Sequence, residues 1–226
     1  HAATVASPSI PGEKKDTVYF HPDFNINSTY PAVRKVWQQK DVTDVASQGS
    51  IDGELYIYTN TAGMVHALNA RNGETVWTYA TGNKVFSVPF ITSRLGFVYA
   101  LDKKDGSVRW RYDTGYPIVA CPTVAGGNVY VGSSNGKFYS LHLADGTPDW
   151  IADGLDGYIE SRPAIDSRRA YIGTWGAMFY AIDRKTGEKV WKFDTGRGRY
   201  FSPGACWPVV LPYRKDGKSS EQVIVL

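Results

Sequence analysis

The chain has 226 residues, of which 42% are hydrophobic and 21% charged, and it carries a formal net charge of +3. These totals are typical of a globular protein with a sizeable core. The weak charge, with no dense Lys/Arg tract, argues against nucleic acid or an anionic membrane as a partner. No apolar run approaches the roughly 20 residues that a membrane-spanning helix needs.

Residues 1–16 are rich in Ala, Ser, Pro and Gly and are predicted to form a flexible N-terminal segment. The chain begins at His1 rather than Met, as a processed secretory precursor or an incomplete chain would. Short strands are predicted around residues 17–20 and 33–37. The folded domain is expected to span residues 17–226.

One pattern, in which a Gly lies four residues before a Trp, occurs four times along the chain. Its copies end at Trp77, Trp110, Trp150 and Trp191, and Trp37 ends a partial fifth copy. The successive Trp residues are 40, 33, 40 and 41 residues apart. A period near 40 with short strands is typical of β-propellers, in which each repeat forms a four-stranded blade.

The third period shows the four strands most clearly. They are predicted at residues 118–124, 128–132, 137–141 and 148–151, with Gly-Gly, Asn-Gly and Asp-Gly pairs in the turns between them. The predicted fold is therefore all-β: a propeller of four-stranded antiparallel blades, with four full or near-full repeats and partial blades at both ends.

The second period is about seven residues shorter than its neighbours, because a strand like Asn128–Gly132 is missing from it. Either this blade is reduced, or residues are absent from the chain. At the other end, residues 204–211 and 222–226 resemble a first and a second strand, separated by a polar turn from Arg214 to Glu221. The N-terminal strands would complete this blade in a small closed ring. We favour the alternative, a partial propeller.

The repeats resemble those of the quinoprotein alcohol dehydrogenase-like superfamily, the PQQ-repeat β-propellers. Val129-Tyr130-Val131-Gly132-Ser133 matches the first half of the family pattern, and Tyr180-Ala181-Ile182-Asp183 through Trp191 matches the second half. In this family the Trp residues form a "tryptophan docking" motif between neighbouring blades. The resemblance therefore implies a structural role for Trp77, Trp110, Trp150 and Trp191.

Ligand sites in this superfamily usually lie on the propeller face that carries the loops between second and third strands and the links between blades. That face is expected to carry Asn60, Asn83, Tyr116, Asn135, Asp153, Asp156, Trp175, Arg197, Arg199 and Tyr200. Trp175 would either bind a planar ligand or a partner, or pack against the next loop. Arg197 and Arg199 would bind a carboxylate or phosphate, unless they lie in a solvated basic loop.

Metal and cysteine signals are weak. Asp153 and Asp156 are candidate ligands for a hard cation, although Asp-Gly pairs are commoner in turns. Cys121 and Cys206 belong to no CxxC or Cys/His cluster, so a zinc site is not expected, and their pairing is left open. His66 and His142 are expected to be packing or surface residues.

Two functions are compatible with the resemblance. The family's dehydrogenases cover PQQ with a disulfide between adjacent cysteines and bind Ca²⁺, and the chain has no adjacent cysteine pair. The favoured interpretation is a non-catalytic scaffold without a cofactor that binds a protein partner or further blades, in the periplasm or secreted. The alternative is a PQQ-dependent alcohol or sugar dehydrogenase with calcium, or a fragment of one. Fold alone does not decide between them.

Overall fold

Short apolar segments bounded by glycine turns form strands throughout the described chain. A computed structural model describes residues 36–45, 49–82, 91–92, 96–196, 203–215 and 218–224. Within them the strands form successive antiparallel sheets in which strand order follows chain order. Each such sheet is called a blade here, and the strands of a blade are counted from first to fourth.

The strands of each blade are as follows. Blade 1 contains β1 (Ser50–Asp52), β2 (Leu55–Thr59), β3 (Met64–Asn69) and β4 (Thr75–Ala80). Blade 2 contains β5 (Ile91–Thr92), β6 (Phe97–Leu101) and β7 (Val108–Asp113). Blade 3 contains β8 (Thr123–Ala125), β9 (Asn128–Gly132), β10 (Phe138–His142) and β11 (Pro148–Ala152). Blade 4 contains β12 (Ala164–Ile165), β13 (Arg169–Gly173), β14 (Met178–Asp183) and β15 (Lys189–Asp194). A 3₁₀ turn (Pro203–Ala205) and a hairpin of β16 (Val209–Lys215) and β17 (Lys218–Ile224) follow.

Blades 1, 3 and 4 are four-stranded, which confirms the predicted all-β fold of antiparallel blades. Blade 2 has three described strands, and its first one, β5, lies where the second strand of blade 3 lies. Ile91 of β5 pairs with Tyr99, as Val131 of β9 pairs with the equivalent Tyr139. The second strand that the sequence predicts to be missing is therefore present as the two-residue β5, and the short second period shortens the part that precedes its third strand.

The C-terminal hairpin corrects one sequence expectation. The predicted polar turn from Arg214 to Glu221 is wrong, because pairing continues to Lys215 and Lys218 and leaves two residues between the strands. Polar residues do not prevent the pairing, since the ladder is made by backbone groups. The strand predicted at residues 17–20 and residues 33–35 of the strand predicted at 33–37 lie outside the described residues, and residues 36 and 37 are not in a strand.

The core lies between successive blades. Val98 of blade 2 packs with Val129, Tyr139 and Leu141 of blade 3. On the next interface, Tyr130 and Phe138 of blade 3 pack with Ile172 and Tyr180 of blade 4. Burial of apolar surface stabilises a fold by roughly 25 cal/mol per Å², so these faces contribute to holding neighbouring blades together.

The repeated Trp residues connect each blade to the next in one recurring geometry. The indole N–H of Trp37 donates to the carbonyl of Ala70 at 2.9 Å, that of Trp77 to Lys103 at 2.8 Å and that of Trp110 to Leu143 at 2.9 Å. Trp150 donates to Arg184 at 3.0 Å. Each acceptor lies three residues before a glycine in the turn between third and fourth strands.

That glycine lies against the face of the same indole. A Cβ at Gly106 would lie 2.6 Å from the Trp77 ring, and one at Gly146 would lie 2.5 Å from the Trp110 ring. Both glycines have a positive φ, 76° and 75°. Glycine is thus required twice over, by the backbone conformation and by the close approach of the ring. We call this combination of hydrogen bond and glycine contact the Trp joint.

Candidate functional site: the loop face

The loops that join second to third strands and the links that join one blade to the next lie at the same end of the blades. We call this surface the loop face. The Ser134 N–H donates to the Pro117 carbonyl at 2.9 Å, and the Trp175 N–H donates to the Tyr158 carbonyl at 3.0 Å. Each loop is therefore hydrogen-bonded to the link that precedes its own blade, and the loop face is built from interlocked segments.

Three buried polar residues begin these loops: Asn60, Ser133 and Thr174, all inaccessible to solvent. The Ser133 hydroxyl lies 3.4 Å from the Tyr116 carbonyl, and the Asn60 carboxamide oxygen accepts from the N–H groups of Ala62 and Met64. These contacts connect the start of each loop to backbone groups of the same loop or of the preceding link. The loops are therefore held in fixed conformations, which favours their use as a binding surface.

Large aromatic side chains are exposed on this rigid surface. Tyr116 is 57% exposed and Tyr158 is 48% exposed, and both lie in links between blades. Trp207, 44% exposed, lies in the segment just before β16. Exposed aromatic residues on a fixed backbone are typical of protein-binding sites, because they bury a large area at a small entropic cost.

Trp175, one of the predicted site residues, is half-buried beside Tyr158. The two ring centroids are 6.0 Å apart, and the indole also lies against Gly204, where a Cβ would be 2.7 Å from the ring. The indole nitrogen is buried without an acceptor among the described residues. Trp175 thus packs against both the preceding and the following link, and it supports the exposed Tyr158 ring from one side.

The two predicted metal ligands have separate partners. Asp153 forms an ion pair with Lys137 at 2.9 Å, and hydrogen bonding to that lysine lowers the pKa of Asp153. Asp156 accepts a 2.6 Å hydrogen bond from the Tyr180 hydroxyl. Within the described residues, no group of three or more His, Cys, Asp or Glu side chains has the geometry to hold a metal.

The remaining predicted site residues do not form one cluster among the described residues. The Asn135 side chain donates to the Tyr139 hydroxyl at 2.8 Å and accepts from the Lys137 N–H, so it shapes its own loop. Tyr116 is exposed. Asn83, Arg197, Arg199 and Tyr200 lie outside the described residues.

A polar cluster that the sequence did not predict lies at the blade 1 end of the loop face. Asp41 accepts from the Asn60 side chain at 2.9 Å, and its other oxygen is 3.6 Å from the His66 ring nitrogen. Tyr58 stacks on His66 with ring centroids 4.8 Å apart. The Asp41 side chain is only 7% exposed. No local pattern indicates the cluster, because Asp41 and His66 are 25 residues apart in the sequence.

Burial and hydrogen bonding change the ionisation of this cluster. Burial lowers the pKa of His66, although the Asp41 carboxylate opposes the shift. The pKa of Asp41 is also lowered: burial raises it, and hydrogen bonds from Asn60, Thr43 and Tyr58 together with the charge of His66 outweigh that effect. Burial and the hydrogen bond to Asp41 raise the pKa of Tyr58 to about 12. Near neutral pH the cluster therefore contains a neutral His66, an ionised Asp41 and a neutral Tyr58.

The two cysteines of the chain are not joined in a disulfide. Cys121 and Cys206 are both free thiols, and burial raises the pKa of each. No helix within the described part of the chain has the length and apolar composition of a membrane span.

A protein-family model described as outer membrane protein assembly factor BamB matches residues 79–204, which is more than half of the chain. Among curated proteins, the chain is similar to the outer membrane protein assembly factor BamB of Salmonella typhimurium, with 28% identity over 115 residues. That alignment covers 51% of this chain and 23% of the relative, so the match spans about a quarter of the relative's length.

Solved structures share the fold. BamB from Moraxella catarrhalis matches with a TM-score of 0.56 and 18% identity, covering 84% of this chain and 76% of that one. The quinohemoprotein alcohol dehydrogenase of Comamonas testosteroni matches with a TM-score of 0.65 and 15% identity, over 80% and 39% of the two chains. The quinohemoprotein alcohol dehydrogenase ADHIIG of Pseudomonas putida HK5 matches with a TM-score of 0.68 and 18% identity, covering 83% of this chain and 39% of that one.

Proposed function

Because the chain belongs to the PQQ-repeat family described as outer membrane protein assembly factor BamB, we propose that it is a non-catalytic β-propeller scaffold that binds a protein partner. The family lies within the quinoprotein alcohol dehydrogenase-like superfamily of propellers, whose enzymes share the fold. The similarity to BamB supports the scaffold function, and it supports a protein of the cell envelope as the partner.

The loop face is the proposed binding surface, and the observation that carries this assignment is the exposure of Tyr116 and Tyr158 on it. Their backbone segments are fixed by hydrogen bonds to neighbouring loops, so little conformational entropy would be lost on binding. Trp175 supports Tyr158 and would act through it. Arg197, Arg199 and Tyr200, in the same link as Trp207, would extend this surface by their position in the sequence.

Site-specific photo-crosslinking tests the surface. A photoreactive phenylalanine analogue at Tyr116 or Tyr158 is expected to give discrete crosslinked proteins in an envelope extract of the source cells. Leu143 provides a matched control, because it is 39% exposed and lies in the turn at the opposite end of blade 3. Mass spectrometry would identify the products. Equal crosslinking from Leu143 and from the two tyrosines would contradict the proposal.

The proposed location is the periplasm or the extracellular space, which follows from the similarity to an outer membrane assembly factor. Fractionation of source cells checks it: the protein should be released with the periplasmic or secreted fraction. Recovery only in the cytoplasmic fraction would contradict it.

The dehydrogenase alternative has a direct test. PQQ and Ca²⁺ are added to the purified protein, and quinone absorbance and dye reduction with alcohols and sugars are followed. We expect neither a bound quinone spectrum nor dye reduction. Turnover that depends on both PQQ and Ca²⁺ would overturn the scaffold proposal.

A further inference from the structure

A groove lies between blades 3 and 4, at the end of the blades opposite the loop face. It has a volume of about 480 Å³ and is open to solvent. The first turn of blade 3 and the first and last turns of blade 4 form its lining. The lining includes Gly126, Tyr130, Arg168, Asp183, Arg184 and Lys185. Three of the lining side chains are cationic and one is a carboxylate, so the groove has an excess of positive charge.

Arg184 is held in one position at the centre of this groove. Its Nε donates to the Tyr130 hydroxyl at 3.0 Å, and its Nη1 donates to the Asp166 carbonyl at 2.8 Å. The guanidinium carbon lies 5.8 Å from the centre of the Tyr130 ring. Nη2 lies against Gly126, where a Cβ would overlap it. Because both blades fix the guanidinium, little side-chain entropy would be lost when it binds an anion.

The positive charge of the groove is not paired within it. Among the described residues, the ion pairs involve neither Arg168, Arg184 nor Lys185, and Nη2 of Arg184 has no hydrogen-bond acceptor. The Asp183 carboxylate accepts from two N–H groups of its own turn at 2.9 and 3.0 Å, and these bonds lower its pKa. Asp183 is therefore ionised near neutral pH and is directed towards its own turn.

The corresponding place between blades 1 and 2 contains a carboxylate. Lys103 is the counterpart of Arg184, because the carbonyl of each accepts the indole N–H of a Trp joint. Lys103 reaches back to blade 1 and forms a 2.9 Å ion pair with Asp52. Asp52 ends the first strand of blade 1, as Ala125 ends the first strand of blade 3, and each pairs with the residue three positions later. Blade 3 therefore has an alanine where blade 1 has the acidic partner.

We propose that the groove between blades 3 and 4 binds a carboxylate from outside the chain, in the place that Asp52 occupies between blades 1 and 2. Nη2 of Arg184 is the central donor, and Arg168 and Lys185 add positive charge around it. An acidic segment of a protein or a small free carboxylate supplies this group. A dianion such as phosphate is disfavoured, because its repulsion by Asp183 is larger. The site is separate from the loop face and does not depend on the function proposed for that face.

Fluorescence anisotropy tests the proposal on the full chain. The probe is a short peptide with three consecutive Glu residues and a neutral dye, and the matched control peptide has Gln in their place. Salt is kept at about 0.1 M, where charges more than about 10 Å apart are largely screened. The Glu peptide should bind and the Gln peptide should not. Displacement by millimolar succinate would identify a small free carboxylate as a sufficient ligand, and binding without displacement would identify the acidic segment.

Substitutions locate the binding in the groove. Arg184→Leu should weaken binding of the Glu peptide by at least about tenfold, because it removes the central charged donor. Leucine is compatible with this position, since Leu143 occupies it in blade 3. Arg184→Lys keeps the charge and should lose no more than about threefold. Lys104→Gln is the control, because Lys104 follows Lys103 as Lys185 follows Arg184, and it should leave the affinity unchanged.

A second variant separates binding from the contacts that Arg184 makes between the blades. Arg168→Gln combined with Lys185→Gln leaves those contacts in place and should weaken the Glu peptide roughly threefold to tenfold. Thermal melting shows whether each variant is folded. Equal binding of the Glu and Gln peptides would overturn the proposal, as would an unchanged affinity in the folded Arg184→Leu and double variants. In those cases Arg184 would serve only to connect the two blades.

Discussion

Ala177 has a backbone conformation that glycine has at the same place in the other blades. The residue four positions before the third-strand partner of the repeat Trp is Gly63, Gly96 or Gly136 in blades 1 to 3, with φ of 85°, 92° and 73°. In blade 4 it is Ala177, with φ of 62°. The left-handed conformation costs an L residue with a Cβ roughly 1–2 kcal/mol. The loop that carries Trp175 is therefore held in place against local strain.

Replacing Ala177 with glycine should relieve this strain. We expect Ala177→Gly to raise the free energy of unfolding by up to about 1 kcal/mol, since the lost methyl group and the greater freedom of the unfolded chain offset part of the gain. The matched variant Gly136→Ala should lower it by about 1–2 kcal/mol. Urea unfolding measures both. A loss of stability in Ala177→Gly would contradict the prediction.

His66 and Asp41 make the stability of the protein depend on pH. Both pKa values are lower in the folded chain than in the unfolded one. The stability that His66 contributes is therefore present above its unfolded pKa near 6.5 and is lost as the pH falls through its folded pKa. The contribution of Asp41 is lost at lower pH, below its unfolded value of 3.8.

The His66→Gln variant separates the two contributions. Urea midpoints at pH 7.5 and pH 5.0 should show a loss of stability in the original protein and a smaller loss in His66→Gln. An unchanged pH dependence in His66→Gln would mean that His66 does not titrate as described.

At the scale of strands and turns, the Trp joint determines how much each Trp contributes to stability. The same residue type lies at the same register in β11 and β15, because Trp150 pairs with Ser140 and Trp191 pairs with Ala181. Only Trp150 is covered by a following turn, that of Gly187. The difference between the stability contributions of Trp150 and Trp191 therefore measures the effect of the Trp joint, because the preference of Trp for a strand is the same at both positions.

Trp150→Ala is expected to lower the free energy of unfolding by about 3–5 kcal/mol, as for other large aromatics removed from a core. Trp191→Ala should cost clearly less, about 1–2 kcal/mol, because much of its ring is already in water. Urea unfolding followed by circular dichroism gives both values. Equal losses of unfolding free energy in the two variants would show that covering the indole contributes little to stability.

The sequence was sufficient to predict the elements wherever local signals were strong. Asn128–Gly132 lies between Gly-Gly and Asn-Gly turns, and the strand occupies those residues. The full length of β16 is not predictable from local signals, because Pro212, Arg214 and Lys215 by themselves indicate a turn.

The contents of the candidate site were less predictable than the strands. The exposure of Tyr116 and Tyr158 depends on how neighbouring links pack, and Asp41 meets His66 only after blade 1 has formed. The left-handed conformation of Ala177 is set by its position in the repeat, where the other described blades have glycine. The residue type gives no sign of it, because alanine disfavours that conformation. These features are tertiary, and a single sequence gives little information on them.

At the scale of the whole described array, stability is the sum of blades and of the interfaces between neighbours. The strands β9, β10, β13 and β14 are almost wholly buried between two covered faces. β15 is exposed along its whole length. Local opening is therefore expected to begin at blade 4 and its outer strand rather than in blade 3.

Hydrogen exchange measured by mass spectrometry checks this order. The amides of β15 should exchange at least about tenfold faster than those of β11, its counterpart in blade 3, because the two strands differ mainly in coverage. Strands β9 and β10 should be the slowest. Similar exchange rates in β11 and β15 would contradict a stability gradient along the array.

The Trp joint also bears on how such chains change in evolution. Every joint is made by a Trp from one repeat and a glycine turn from the next, at the same spacing, so each repeat carries one half of two different joints. Recombination that duplicates or deletes a segment of one period regenerates a compatible joint at the new boundary, wherever the crossover falls. Blade number can therefore drift between related genes without new interface residues arising first.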